Sequence, residues 1–338
     1  MDKSPIILGI ESSCDDTSAA VLQGQKVLSN IVANQSIHKK YGGVVPELAS
    51  RAHQQNIIPV VDIAIKKAKI RKRDINAIAY TQGPGLLGSL LVGGSFAKAF
   101  SLAMNIPLIN VNHMKGHVLS HFIDDNQKMP NFPFLCLTVS GGHTQIVKVI
   151  NYLEMEIIGQ TIDDAAGEAF DKSAKILGID YPGGPLIDKY SKDGNINTFK
   201  FNKPKVSGLD FSFSGLKTSI LYKINNELQK DKNFIKNNFN DLCASIQHSI
   251  ISILLEKIEL AILNTGIKEI AIAGGVSANS YLRDELTKLS QINNFNLYIP
   301  KFEYCTDNAA MIAISGFYEY INNNFTSYDT VSSARLIF

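Results

Sequence analysis

Two halves of this chain spell the same phrase, and that repetition limits the fold more than any other feature. In the first half an apolar strand, Ile6 to Ile10, breaks at Glu11-Ser12-Ser13-Cys14-Asp15-Asp16-Thr17-Ser18 and resumes at Ala19-Ala20-Val21-Leu22. In the second half Phe134 to Val139 breaks at Ser140-Gly141-Gly142-His143-Thr144 and resumes at Gln145-Ile146-Val147-Lys148-Val149. Short apolar runs around small and polar residues read as hairpins with polar tips. Each half also closes alike. Ile78-Ala79-Tyr80 leads through Gly83-Pro84-Gly85 to a helix, and Ile270 to Ala273 leads through Gly274-Gly275 to another. The pairing implies two related α/β lobes with a cleft between them, where hairpin tips and helix N-termini aim N–H groups at an anionic ligand. A nucleotide or an acyl phosphate suits such a site.

A length of 338 residues is enough for more than one core. The repeat divides the chain into an N-terminal lobe, 1–128, and a C-terminal lobe, 129–338. Helical stretches from Ser214 to Leu228 and from Phe239 to Asn264, joined by a Lys- and Asn-rich segment, read as an insertion over about 214–264 that decorates the second lobe. An amphipathic helix from Asp307 to about Tyr320 is placed to pack back on the first lobe.

Composition excludes several classes. Met1 to Pro5 carries one basic residue and the following apolar stretch stops at Glu11, too early for a signal peptide. No other apolar run reads as long and charge-free enough to span a bilayer. The four cysteines, Cys14, Cys136, Cys243 and Cys305, lie far apart without Cys-x-x-Cys spacing, which suits a reducing cytoplasm. A net charge of +2 identifies no nucleic-acid partner. The densest basic run, Lys66 to Arg73, ends a helix starting near Pro46, and reads as a solvated helix end ahead of an RNA contact.

His113 and His117 are four residues apart, which on a helix puts two imidazoles on one face at metal-binding separation. His121 extends that face and reads as an ordinary surface histidine. A zinc peptidase would place glutamate after the first histidine, where this chain has Met114. Asp307 is the third ligand or, equally, an N-cap. Two histidines and a carboxylate suit iron(II) or zinc and leave coordination positions open. Thr138-Val139-Ser140-Gly141-Gly142 suits an acyl phosphate, although a tight hairpin also wants glycine. Asp164, Glu168 and Asp171 share a helical face. Asp171 and Asp188 suit ribose hydroxyls, Tyr181-Pro182-Gly183-Gly184-Pro185 allows close passage of the sugar, and Gly274 to Asn279 would cover the adenine, with Ser277 as an alternative helix cap.

Seven runs in order resemble the TsaD family of tRNA threonylcarbamoyltransferases, long mislabelled as glycoprotein endopeptidases. They are Gly9 to Thr17, Tyr41 to Arg51, His113 to His117, Ser140 to Gln145, Gly167 to Lys172, Phe211 to Lys217 and Gly274 to Asn279, and the likeness covers almost the whole chain. The resemblance implies an α/β fold of two ribonuclease-H-like lobes, of the actin-like and sugar-kinase-like ATPase superfold. It implies that His113, His117 and Asp307 bind one divalent ion, iron(II) ahead of zinc. It implies that Thr138, Val139, Ser140, Gly141, Gly142, Asp171, Gly184, Asp188 and Asn279 hold threonylcarbamoyl-AMP.

The implied reaction transfers threonylcarbamoyl to N6 of the adenosine at tRNA position 37, in tRNAs reading codons that begin with A, and releases AMP. The proton acceptor is not implied; Glu11, Asp15 and Asp16 are candidates. Implied partners are tRNA, a degenerate TsaB-like paralogue, a small TsaE-like ATPase and a synthase supplying the adenylate, with no membrane. The ending Ser333-Ala334-Arg335-Leu336-Ile337-Phe338 departs from the family's basic, proline-containing one. An ATPase or small-molecule kinase of the same superfold is the rival reading, against which the histidines speak, since magnesium prefers oxygen ligands. A non-catalytic scaffold would have lost the metal ligands.

Overall fold

The repeat becomes two sheets of the same strand order. The computed structural model of the protein describes residues 4–338. Strands β1 (Ile6–Glu11), β2 (Thr17–Gln23) and β3 (Lys26–Ala33) pair antiparallel, while β4 (Ala77–Gly83) and β5 (Leu108–Asn112) add in parallel beside β1, giving β3-β2-β1-β4-β5. Strands β6 (Phe134–Val139), β7 (Thr144–Val149), β8 (Met155–Gln160), β9 (Glu269–Ala273) and β10 (Asn296–Tyr298) repeat it as β8-β7-β6-β9-β10, with β6 antiparallel to β7 and parallel to β9. The helices of the first half are α1 (Pro46–Lys67), α2 (Leu87–Met104) and α3 (His113–Leu119). The second half has α4 (Ala166–Ile176), α5 (Gly183–Ser191), α6 (Ser214–Leu228), α7 (Phe234–Asn237), α8 (Phe239–Thr265) and α9 (Ser280–Asn293). Two more, α10 (Phe302–Cys305) and α11 (Ala309–Ile321), follow.

The chain forms two units. One runs to Met129 and adds Ile150–Met155 and Pro300–Phe338; the other comprises Pro130–Val149 and Glu156–Ile299.

In the first unit, α1 opens with Pro46 and Glu47, a start suited to the helix N-terminus, and buries Ala49, His53, Ile57, Val60, Val61, Ala64 and Ile65 along one stripe. That stripe meets Leu8, Ile10, Val21, Ile78 and Tyr80 from the sheet. The opposite sheet face takes α11, which is buried from Ala309 to Gly316. Close approach is the reason two glycines stand here: a Cβ on Gly316 would lie 2.4 Å from that of Ala79, and one on Gly9 would lie 2.5 Å from the Ala309 carbonyl. Helix α2 is, against the sequence reading, long and apolar enough to cross a membrane. It carries Lys98, however, and one face, Ser89, Leu90, Gly93, Gly94, Ala97 and Ser101, is buried where the helix packs on β4 and α1. Past α11 the chain is stitched to the ends of β4 and β5. Thr326 N–H donates to the Leu108 carbonyl, Ser333 N–H to that of Gln82, and Gly85 N–H to that of Ala334.

In the second unit, Leu135, Leu137, Ile146, Ile270 and Ile272 of the sheet join one core with α4, α5, α6 and α8. The last of these supplies Leu242, Ile246, Ile250, Leu254 and Ile258, so it is a core helix and not decoration. A short helix, α7, occupies part of the Lys- and Asn-rich segment between α6 and α8.

Candidate active site

In both units the chemistry-bearing residues gather where the parallel strands end, the position at which open α/β sheets bind ligands. In the first unit β1 ends at Glu11, β4 at the Gly83 turn, and β5 at Asn112, which passes directly into α3. Asn112 caps that helix, its Oδ1 accepting from the N–H groups of Met114 and Lys115, and so sets the axis along which His113 and His117 project. The two rings meet edge to face with centroids 4.8 Å apart.

Asp307 enters from the far end of the chain. The N-cap of α11 is Asn308, whose Oδ1 accepts from Met311 N–H at 3.1 Å. This removes the capping alternative for Asp307 and leaves its carboxylate to the histidines. Asp307 Oδ1 lies 3.4 Å from His113 Nε2 and 3.2 Å from His117 Nε2. One ligand atom from each residue fits within a 4.8 Å span. Bonds of about 2.1 Å at a tetrahedral angle put ligand atoms roughly 3.4 Å apart, so the two Nε2–Oδ1 separations suit a shared cation. His117 Nδ1 is buried without a hydrogen-bond partner among the described residues. The donor set fits a divalent ion of intermediate softness. Asp307 keeps 27% of its side-chain surface exposed, which leaves a way in. His121 corrects the surface reading: it is buried in the 3-10 turn Ser120–Phe122, after α3 has ended.

Charge is concentrated here. Burial opposes ionisation of Glu11 and of Asp307, but the His113 ring between them prevails and holds both carboxyls below the usual carboxylate range. Burial likewise opposes a charged His113, and the two carboxylates overcome it, lifting the imidazole well above its ordinary value. Glu11 is fully buried, and Oε1 accepts from Ser13 N–H at 2.5 Å while Oε2 accepts from Thr81 Oγ1 at 2.7 Å. Asp16 is different. Its burial, with the charges of Asp15 and Asp307 nearby, pushes its carboxyl up to about 7, while Asn34 donates to its Oδ1 at 2.8 Å. Burial pushes the Cys14 thiol far up, which makes it a poor nucleophile.

Two residues outside the sequence reading hold this first hairpin. His53 accepts from Thr17 Oγ1 at Nδ1 (2.8 Å) and donates from Nε2 to the Cys14 carbonyl (3.0 Å), while Thr81 fixes Glu11. The available signal for His53 was a polar residue inside the apolar stripe of α1.

In the second unit the predicted residues are linked by direct contacts. Ser140 N–H donates to the His143 carbonyl at 2.8 Å, closing the hairpin, and Gly167 N–H at the start of α4 donates to the Ser140 carbonyl at 3.2 Å. Thr138 and Val139 are buried at the end of β6. The turn after β9 lies against them: Gly274 has φ 88°, and a Cβ there would lie 2.5 Å from the Val139 carbonyl oxygen. Around Gly141 and Gly142, by contrast, a Cβ would meet nothing within 4 Å. The remaining residues hold helix starts. Asp171 Oδ1 accepts from the N–H groups of Gly183 (2.8 Å) and Gly184 (3.3 Å), and among the described residues no protein donor reaches its Oδ2. Burial raises the Asp171 carboxyl despite those two bonds. Asp188 accepts from the Ser280 N–H (3.1 Å) and hydroxyl (2.8 Å). Asn279, and not Ser277, caps α9 by accepting from Leu282 N–H, and its Nδ2 donates to Gln247 at 2.7 Å. Asp164 and Glu168 both pair with Lys172.

The family model described as tRNA N6-adenosine threonylcarbamoyltransferase matches residues 26–314. A protein of that name from Christiangramia forsetii is 59% identical over 338 residues, spanning 100% of this chain and 99% of its own. One from Riemerella anatipestifer is 61% identical over 334 residues, with 98% of each covered. Among solved structures, full-length HypF in a phosphate- and nucleotide-bound form matches 96% of this chain and 48% of its own, with a TM-score of 0.63 at 13% identity. The component A of Acidaminococcus fermentans (R)-2-hydroxyglutaryl-CoA dehydratase matches with a TM-score of 0.53 at 16% identity, over 94% of this chain and all of its own. At such identities the likeness speaks for the fold, which is that of the actin-like ATPases.

Proposed function

This chain belongs to the family of tRNA N6-adenosine threonylcarbamoyltransferases, and on that premise we propose that it transfers threonylcarbamoyl from threonylcarbamoyl-AMP to N6 of the adenosine at position 37 of tRNAs that read codons beginning with A. The N6 lone pair attacks the carbamoyl carbon, the carbon–nitrogen bond forms, the bond to the phosphate oxygen breaks, and AMP leaves.

The observation that carries the reading is the meeting of His113 and His117 on α3 with Asp307 before α11, across 190 residues of sequence. They would hold one divalent ion, iron(II) or zinc, which when bound supplies Lewis acidity toward the carbamoyl oxygen. The open backbone at Gly141 and Gly142 would take the phosphate, with the Ser140 hydroxyl as a further donor. The free Oδ2 of Asp171 is an acceptor for a ribose hydroxyl, while Asp188, Gly184 and Asn279 hold the surrounding helix starts in register. Of the acidic candidates at the first hairpin, Glu11 is enclosed by its own chain, which leaves Asp16, its carboxyl raised by burial and by Asp15, ahead of Asp15 as the proton acceptor for N6.

The partners are a degenerate paralogue, a small ATPase and a synthase for the adenylate, all in the cytoplasm. The paralogue would dock on α2, where Leu87 (50%), Leu91 (50%) and Leu102 (69%) stay exposed along one side. Nucleoside mass spectrometry of unmodified tRNA incubated with threonylcarbamoyl-AMP and these partners is the test. Modified adenosine should form, and should fall by about 10²-fold or more in His113→Ala. ATP hydrolysis with unmodified tRNA under every combination of partners would favour a kinase-like or ATPase activity instead.

A further inference from the structure

Glu11 is the most buried carboxylate of the site, and its surroundings suit something other than proton transfer from a substrate. It has no exposed surface, and three donors from three places on the chain already converge on it: Ser13 N–H at 2.5 Å, Thr81 Oγ1 at 2.7 Å and His113 Nδ1 at 3.0 Å. A general base must come within hydrogen-bond reach of the substrate proton. Glu11 is enclosed on every side by its own chain. What it does reach is the far side of a ring whose Nε2 lies 3.4 Å from Asp307 Oδ1.

A carboxylate only accepts, so Nδ1, 3.0 Å from Glu11, carries a proton, and a cation beside Asp307 takes the place of any proton on Nε2 while Nδ1–H stays on Glu11. Ser13 Oγ, 3.1 Å from the same Nδ1, is a hydroxyl and does not impose that choice. His117 has no equivalent, because its Nδ1 is buried without a partner among the described residues. The two ligands therefore differ. One is oriented at its far nitrogen by a charged partner that is itself pinned from the first hairpin and from β4, and the other has its polar contact to Asp307 but no hydrogen-bond partner at Nδ1 among the described residues.

We propose that Glu11 is a positioning residue for His113: it fixes the Nδ1–H tautomer and the ring plane, and so presents Nε2 to the cation beside Asp307. The inference rests on the reading of His113, His117 and Asp307 as a metal site. Ligating histidines held in this way typically lose 10- to 100-fold in metal affinity when the partner is removed.

The test is a Co(II) titration of the purified full chain, read from visible d–d absorption, for wild type, Glu11→Gln, Thr81→Val and His113→Ala. Glu11→Gln should weaken Co(II) by about 10- to 100-fold and alter the band shape, and Thr81→Val should weaken it by a smaller factor. Wild-type affinity and an unchanged spectrum in a natively folded Glu11→Gln would overturn the inference while leaving the metal site standing. A wild-type protein that takes up no Co(II), like His113→Ala, would instead remove the metal reading, and this inference with it. Should Glu11→Gln fail to fold, histidine 15N shifts of the zinc-loaded wild type decide: His113 protonated on Nδ1 alone is expected, and an Nε2–H ring with a bare Nδ1 would contradict it.

Discussion

At the scale of single residues, this protein uses two buried histidines of one unit in opposite ways. Burial pushes His53 below the ordinary imidazole range, and its two bonds use the neutral Nε2–H form. The unfolded chain titrates near about 6.5, so between that value and the lower folded one the unfolded state binds more protons. The stability His53 contributes is thus complete above about 6.5 and is lost as pH falls. His113, with its raised value, has the opposite sign: its contribution is complete below about 6.5 and is lost as pH rises through the folded value. The difference in urea midpoint between wild type and His53→Gln, measured from pH 7.5 to 5, should therefore shrink as the medium becomes acid; a constant difference would contradict this account. Asp16 gives a second prediction. Transfer should rise with pH through about 7, the limb should vanish in Asp16→Asn with a fall of about 10²-fold or more, and a cation on Asp307 should move it to lower pH by cancelling a repulsive charge. An unaltered pH profile in Asp16→Asn would transfer the role to Asp15. Residue pairs were the least legible part of the sequence. His113 and His117 announce each other by spacing, whereas nothing local tells Asp307 from Asn308, and only the cap bond made by Asn308 separates a ligand from a helix start.

At the scale of elements, α11 does two jobs: it fills one face of the first sheet and its leading edge carries Asp307. Gly316→Val would drive a side chain into Ala79, and overpacking of this kind costs on the order of 1–3 kcal/mol. Its urea midpoint should fall, and Co(II) affinity should fall with it, because the helix cannot move without its N-terminus; loss of one without the other would show that the two jobs are separable. Leu91→Asp on α2 should abolish co-purification with the paralogue and leave Co(II) affinity unchanged. Elements themselves were well marked in the sequence. Both hairpins, the glycine turns and the start of α1 at Pro46 follow from alternation, Gly and Pro. Helix α8, expected to decorate the second lobe, lies in its core; it is apolar nearly all round and shows no single stripe, which is how a helix looks when other helices surround it.

At the scale of the whole molecule, the two sheets share one order, and the duplication was legible because it is written in local patterns repeated at a distance. The path of the chain was not. Pairings such as that of the residues after α11 with the ends of β4 and β5 join segments more than two hundred residues apart, and no periodicity reports them. Those same pairings bear on the order in which the molecule is made. Synthesis delivers the first sheet early, but its covering helix, its stitched tail and the third metal ligand emerge only after position 300, when nearly all of the second unit has left the ribosome. The unit begun first is therefore completed last. Its contacts span the longest separations in sequence, and such contacts close slowly. Pulsed hydrogen exchange during refolding should find β6, β9 and α8 protected before β1 and β4. Nascent chains halted before Asp307 should hold a structured second unit beside a first one unable to retain cobalt.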